Sequence, residues 1–352
     1  VKRKIIYLTT GKESYHIESL YSLASAIKLL GDKREEIEFV VHTDQASFYR
    51  ALPVSVRHIS QKTLLEWKGP IDYIFRAKHA CLLSELENSE QCILIDSDTF
   101  FHRTPMSLFE RVSKESLLCN ELQHKFGENK DDYTYKSLAH HLQKLGLAPD
   151  NMYRLNSGVI GLTKENKVVL EKSIALMDKY HSKASASYNL EEFALAVTSH
   201  AKNLSVNTCT DIIKHYWSRK NLVRAKIVAW YQKHGESPLS EAAFNDMLLI
   251  NTRPPKPPAP KRLFNKAKSL LIPRQQRQLA LELMNGCYHY QNEFERACKF
   301  AWWETALKNA SEKNQLNRKQ VLTILKTPAF RLSIGVQHSK EISDYLDSST
   351  DF

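Results

Sequence analysis

Several things are missing from this sequence, and each absence narrows what the protein can be. There is no Cys-x-x-Cys pair. The six cysteines (Cys81, Cys92, Cys119, Cys209, Cys287, Cys298) lie far apart and mostly in apolar contexts, which favours free core thiols in a reducing compartment over a disulfide framework. There is no Gly-x-Gly-x-x-Gly, which disfavours a dinucleotide fold of the usual kind. No apolar run approaches the ~18 residues of a membrane helix. The start, Val1-Lys2-Arg3-Lys4, is followed by too short an apolar run for a signal peptide. Acidic residues are absent between Met247 and Leu281, where Arg253, Lys256, Lys261, Arg262, Lys266, Lys268, Arg274 and Arg277 all fall. Those eight charges leave only +3 of the net +11 for the rest of the chain, so the basic character is local.

What is present reads as α/β. At 352 residues the chain can build one large domain plus an appendage. Residues 4–10 (KIIYLTT) and 37–42 (IEFVVH) are strand candidates, with a shorter one at 54–59. Between the first two, an apolar-faced helix follows Ser14 as its cap and stops at Gly31. A helix over 73–86 precedes a fourth strand, and strand–helix alternation predicts a sheet with crossovers. Further on, 116–119 is a short strand and 131–145 a helix on which His140 and His141 point apart, as surface residues. Arg154-Leu155-Asn156-Ser157-Gly158 reads as a polar turn leading into another strand. Helices are expected over 165–179 and from Asn189, with Glu191 and Glu192 in the first turn of the latter, where the dipole favours them. A basic helix is expected from Arg219 to Lys233. Residues 252–260 hold five prolines and read as an extended linker. Beyond them come an amphipathic basic helix, a long aromatic-rich helical region over 274–309, a short helix at 320–325 and a frayed end.

The chemistry centres on Gln91–Pro105 (QCILIDSDTFFHRTP). An apolar run ends in Asp96-Ser97-Asp98, two carboxylates at the end of a strand, where open α/β sheets bind ligands. Three readings compete: an acidic turn; a phosphatase of the haloacid dehalogenase type, with Asp96 as nucleophile; and the Asp-x-Asp of a nucleotide-sugar transferase, holding a metal on a diphosphate. The phosphatase needs a later acidic pair after a strand, and Asp131-Asp132 follows none.

The order of motifs resembles the GT-A nucleotide-sugar glycosyltransferases, most of all the retaining group that includes glycogenin and bacterial lipopolysaccharide galactosyltransferases. The resemblance covers about residues 4–217. It implies a GT-A (Rossmann-like) mixed sheet flanked by helices, with a C-terminal helical extension. It implies that Thr9, Thr10, Gly11, Tyr15 and Asp44 hold the nucleoside, that Arg76 and Lys78 of Tyr73-x-x-Arg76-x-Lys78 reach the donor, and that Ser97 lies against it. Asn156-Ser157-Gly158 would line the sugar pocket, with Trp217 nearby. Asp96, Asp98 and His215 would be the metal ligands, for Mn²⁺ or Mg²⁺. Glu191-Glu192 stands where the family has Asp-Gln beside the reacting carbon, and either could serve catalysis. Departures are that Glu-Glu pair, whose charge would equally suit an inverting enzyme, and the missing Lys-Pro before Trp217. Lys214, Arg219 or Lys220 would then supply a phosphate contact.

These readings divide the chain into a catalytic domain (1–250), a Pro-rich linker (251–262) and a helical, basic and aromatic region (263–352). The expected function is a metal-dependent glycosyltransferase moving a sugar from a UDP-linked donor to a glycan or glycolipid, in bacterial surface polysaccharide or lipopolysaccharide synthesis. A non-catalytic binding protein of the same fold is the other alternative beside the phosphatase. Basic and aromatic residues over 261–303, Trp302 and Trp303 included, are expected to rest on an anionic membrane at its cytoplasmic face, the alternative being that they pack against the catalytic domain with their lysines solvated. Nucleic acid is not expected, because no recognised binding fold accompanies the charge.

Overall fold

The computed structural model describes residues 3–218 and 220–348. It divides into two units: one runs to His215 and includes Glu236–Phe244, the other takes Tyr216–Gly235 and the chain from Asn245.

The first unit is a mixed seven-stranded sheet flanked by helices. In chain order its elements are β1 (Arg3–Thr9), α1 (Glu13–Leu30), β2 (Ile37–Thr43), β3 (Ser55–His58), α2 (Gln61–Lys68), α3 (Arg76–Leu86), β4 (Gln91–Ile95), β5 (Thr99–Phe101), α4 (Met106–Phe109), β6 (Ser116–Lys125), α5 (Tyr133–Lys144), β7 (Tyr153–Thr163), α6 (Lys167–Tyr180), α7 (Leu190–Ala201), β8 (Ser205–Asn207) and β9 (Ile213–His215). The sheet order is β3-β2-β1-β4-β7-β6-β8, and β5 pairs with β9 apart from it. β1 is parallel to β2 and β4, whereas β7 runs antiparallel to β4. The apolar runs of β1 and β4 are buried because helices cover both faces of the sheet centre. α1 is buried almost all round, so its hydroxyls need partners inside. Ser22 Oγ bridges Tyr7 Oη (2.8 Å) and Thr99 Oγ1 (2.9 Å), and Ser25 Oγ accepts from Phe101 N (2.9 Å).

Several sequence expectations change here. Asn156-Ser157-Gly158 is no turn. It lies inside the eleven-residue strand β7, almost wholly buried, because its polar groups find partners across the sheet edge. α1 starts before Ser14, with Lys12 at its cap. α3 starts at Arg76, not at residue 73. Asp132 caps α5, accepting from Thr134 N (3.0 Å) and Tyr135 N (3.3 Å). His140 and His141 are exposed, and all six cysteines are free.

The second unit is helical: α8 (Lys220–His234), the end of α9 (Glu241–Leu248), α10 (Ala259–Ser269), α11 (Arg277–Gly286), α12 (Glu293–Arg296), α13 (Lys299–Asn314), α14 (Arg318–Leu325), α15 (Pro328–Ile334) and α16 (Val336–Ser348). Residues 254–258 form neither helix nor strand, as their four prolines dictate, but run within this unit: Pro255 O accepts from Tyr290 Oη (3.1 Å) and Trp302 Nε1 (3.1 Å). The expected long helix over 274–309 is broken, and α11 packs on α13 through Gly286, whose missing Cβ leaves room for the Trp303 indole. Trp302 and Trp303 are therefore core residues and not available to a membrane. The end is not frayed up to Ser348, and residues 349–352 lie outside the described ones. No described helix is long and apolar enough to cross a membrane.

Candidate metal and donor site

β4 delivers Asp96 at its carboxyl end, where Asp96 N donates to Gly158 O (2.9 Å) and continues the pairing with β7. The chain then turns through Ser97 and Asp98 into β5. Thr99 Oγ1 donates back to Asp96 O (2.9 Å) and closes the turn. Through Ser22 and Tyr7 this hydroxyl chain anchors the turn to α1 and β1. The β5–β9 pairing sets Thr99 opposite His215, which brings the imidazole to the residue before Thr99: His215 Nε2 lies 3.5 Å from Asp98 Oδ1. Among the described residues, Asp96, Asp98 and His215 form a group whose ligand atoms all lie within 4.8 Å of one another.

The donor set fits a divalent cation. Asn156 Oδ1 lies 2.9 Å from His215 Nδ1, the second contact that metal-ligating imidazoles usually have, and Nε2 is turned toward Asp98. Two carboxylates and one imidazole suit Mn²⁺ better than Mg²⁺.

Lys78 supplies the cation beside this group. Its buried Nζ lies 2.9 Å from Asp96 Oδ1 and donates to Ser157 O (3.2 Å) and Ser157 Oγ (3.1 Å). Burial disfavours its charge, but Asp96, Glu191 and Glu192 outweigh burial and hold the ammonium above the usual lysine range. Glu191 accepts from Tyr73 Oη (3.0 Å) and Ser157 Oγ (3.0 Å) and lies 3.9 Å from Lys78 Nζ. Burial pushes its carboxyl up, to about 7, with Lys78 opposing and Glu192 adding. Glu192 accepts from Ser157 N (2.9 Å), Asn156 Nδ2 (3.1 Å) and Asn189 Nδ2 (2.9 Å).

No family model matches the chain, and no curated protein matches it. Among solved structures it is similar to mouse xyloside xylosyltransferase 1 in its apo form, with 12% identity, 60% of this chain and 86% of that one covered, and a TM-score of 0.42. That is a distant likeness to a glycosyltransferase, and a score so low says nothing of chemistry.

The remaining expected residues fall in three places. Thr9, Thr10, Gly11, Tyr15 and Asp44 gather at the carboxyl ends of β1 and β2. Thr9 stands opposite Thr43. Gly11, at φ +94°, donates its N–H to Asp44 Oδ2 (3.0 Å), and Asp44 Oδ1 lies 3.2 Å from His16 Nε2. Gln45, which the sequence did not single out, donates to Gly11 O (2.9 Å). Arg76 is held elsewhere: its guanidinium makes a two-point contact with Asp178 (2.7 and 3.0 Å) and donates to Trp67 O (2.7 Å). Lys78 alone of that pair reaches the carboxylates. Lys214 neighbours His215 on a strand, so it points to the opposite face and is exposed. Trp217 is exposed and, like Lys220, belongs to the second unit. Arg219 lies outside the described residues.

The residues that sequence reasoning missed are Asn189, Tyr188 and the role of Tyr73. Tyr73 Oη is 3.2 Å from Tyr188 O. Nothing in a lone Tyr-Asn before a helix marks it out.

Proposed function

We propose that this chain is a metal-dependent glycosyltransferase moving a sugar from a nucleoside diphosphate donor, UDP-linked, to a hydroxyl of a glycan or glycolipid. The observation that carries the reading is the convergence of Asp96, Asp98 and His215 with Lys78 and Glu191 at the carboxyl end of β4, a strand parallel to β1. In the reaction the bond from the anomeric carbon to phosphate breaks, one to the acceptor oxygen forms, and the acceptor proton passes to the leaving phosphate. A bound divalent cation would stabilise the charge that grows on the leaving diphosphate. Lys78 adds a fixed positive charge beside it. Glu191 would stabilise positive charge at the reacting carbon, and a transfer on the front face would retain configuration. Gly11 and Asp44 would receive the nucleoside, Asn156, Ser157 and Gly158 the sugar.

The first unit carries the reaction in this reading. The second supplies α10 and the two residues after it, where Leu263, Phe264, Leu270 and Leu271 are more than half exposed beside Lys261, Arg262, Lys266 and Lys268. That combination suits an anionic membrane, and with it a peripheral, cytoplasmic place in surface polysaccharide synthesis. The phosphatase loses ground, because Asp132 is a helix cap and the lysine that meets Asp96, Lys78, precedes it in the chain where that pattern has a later one.

Thermal-shift titration against UDP, UDP-glucose, UDP-galactose, UDP-GlcNAc and GDP-mannose, with and without Mn²⁺, tests the reading. Stabilisation by one nucleotide that needs Mn²⁺ and vanishes in Asp98→Ala is expected. No shift with any nucleotide in the presence of metal would overturn it. Binding without sugar transfer or donor hydrolysis would leave a binding protein.

A further inference from the structure

Glu191 and Glu192 are neighbours at the start of α7, yet they are wired differently. Glu191 faces Tyr73, Ser157 and Lys78. Glu192 is buried and takes three donors, none of them a cation: Ser157 N, Asn156 Nδ2 and Asn189 Nδ2. A carboxylate offers only acceptors, so the end of the Asn156 amide that meets it must be the NH₂. The amide oxygen then points the other way. It accepts from Gly158 N (3.1 Å) and faces His215 Nδ1 at 2.9 Å. An amide oxygen cannot donate, so the hydrogen between the two residues sits on Nδ1. In a neutral imidazole the lone pair is then on Nε2, the nitrogen that lies 3.5 Å from Asp98 Oδ1.

We infer that Glu192 is a positioning residue for the metal site: through Asn156 it fixes the His215 tautomer that leaves Nε2 free to bind a cation. The inference rests on the metal site proposed above and separates the two glutamates. Glu191 meets the donor, and Glu192 acts through Asn156 without touching metal or substrate. What Glu192 contributes is the acceptor that orients the amide, not its charge. Glutamine keeps that acceptor for Ser157 N and Asn156 Nδ2, and Asn189 can turn its own oxygen to the new NH₂. Leucine removes the acceptor and leaves the buried Asn156 NH₂ unpaired, with the Gly158 N–H as the remaining hold on the amide.

The test uses the full chain labelled with ¹⁵N-histidine, metal-free, at pH 8, with the His215 signal identified by its loss in His215→Asn. Mn²⁺ affinity is read separately from the free-ion electron spin resonance signal. Wild type should show the Nδ1–H tautomer. Glu192→Leu and Asn156→Ala should move His215 toward the Nε2–H form and weaken Mn²⁺ binding about 10–100-fold. Glu192→Gln should keep both properties, with affinity within about threefold of wild type, and Glu191→Gln should likewise keep the tautomer. Thermal melts check that each variant is folded, and Glu192→Ala, which removes the same acceptor with a smaller side chain, carries the test if Glu192→Leu is not. An Nε2–H tautomer in the wild type, or a Glu192→Gln variant as impaired as Glu192→Leu, overturns the inference. A wild type that binds no Mn²⁺ sinks the metal reading, while the tautomer in the metal-free protein still decides the relay.

Discussion

Gly158 and His215 share a space that holds only one side chain: a Cβ on residue 158 would lie 2.3 Å from His215 Nδ1 and 2.6 Å from Cε1. The glycine is therefore a condition for the imidazole to stand in the site. Gly158→Ala should drive His215 out. The Mn²⁺-dependent rise in melting temperature should disappear, with a stability loss of about 1–3 kcal/mol from overpacking. Calorimetry of metal-free and Mn²⁺-loaded protein checks both.

Glu191 should impose a pH slope on stability. Its folded carboxyl is raised, chiefly by burial, to about 7. The folded state thus holds a proton that the unfolded state has released, and stability falls as pH rises from the ordinary glutamate range through about 7. Below that range both states are protonated and the effect is absent. Glu191→Gln should be more stable than wild type at pH 8 and indistinguishable from it near pH 4. Urea melts across pH 4–8 read the difference.

The opposite sign is expected at Glu85. Burial works against its charge, but His42 Nε2 (2.9 Å), Lys4 Nζ (2.8 Å) and Arg57 Nη1 (2.6 Å) surround the carboxylate and hold it down, at about 2. Its stabilisation is present above the ordinary glutamate pKa and is lost as pH falls toward 2. Among the described residues, Glu85→Gln leaves buried Lys4 with Glu38, 3.8 Å away, as its one ionic partner. It should cost about 3–5 kcal/mol at pH 7, a difference that shrinks on acidification below about pH 4.5.

α10 offers a separable surface. Leu263 and Phe264 are 69% and 52% exposed, so Leu263→Glu/Phe264→Glu should leave the melting temperature within a degree or two. Sedimentation with vesicles containing anionic lipid should weaken roughly tenfold or more, because each apolar side chain withdrawn forfeits about 1.5–3 kcal/mol. Binding of the wild type should also fall with salt. Equal sedimentation of both proteins would remove the membrane from the proposal.

Much of the sheet was legible, for a physical reason. β1, β2 and β4 are central strands, buried on both faces, and such strands write themselves as unbroken apolar runs. β7 was not, because Asn156, Ser157 and Gly158 are turn-forming residues by local preference. Their place in a strand depends on Glu191, Glu192 and His215, which are remote in sequence. The β5–β9 pair is three residues long and too short to show a period, yet it is what brings His215 to Asp98. Arg76 and Lys78 show the limit of reading by spacing. Two residues apart on a helix, they point about 200° from each other. Which one faces the site depends on how α3 is rotated against the sheet, and a rotation of about half a turn reverses the answer. The tail misled for a similar reason: lysines and aromatics at helical spacing describe α10 and α13 alike, but α13 turns Trp302 and Trp303 inward.

The chain separations within the site bear on how it comes into being. Lys78 and Asp96 are 18 residues apart and flank one helix–strand unit, so they can meet as soon as that unit condenses. Ser157 and Glu191 are 34 residues apart, and Asn156 and His215 are 59. His215 arrives on the last strand of its unit, held by a three-residue ladder. Loop closure disfavours such distant contacts until the sheet beneath them exists. During synthesis from the N-terminus, the carboxylates are therefore in place while the imidazole is still being made. A cation would be captured tightly only by the finished unit, so metal would act as a seal on completed folding and not as its seed.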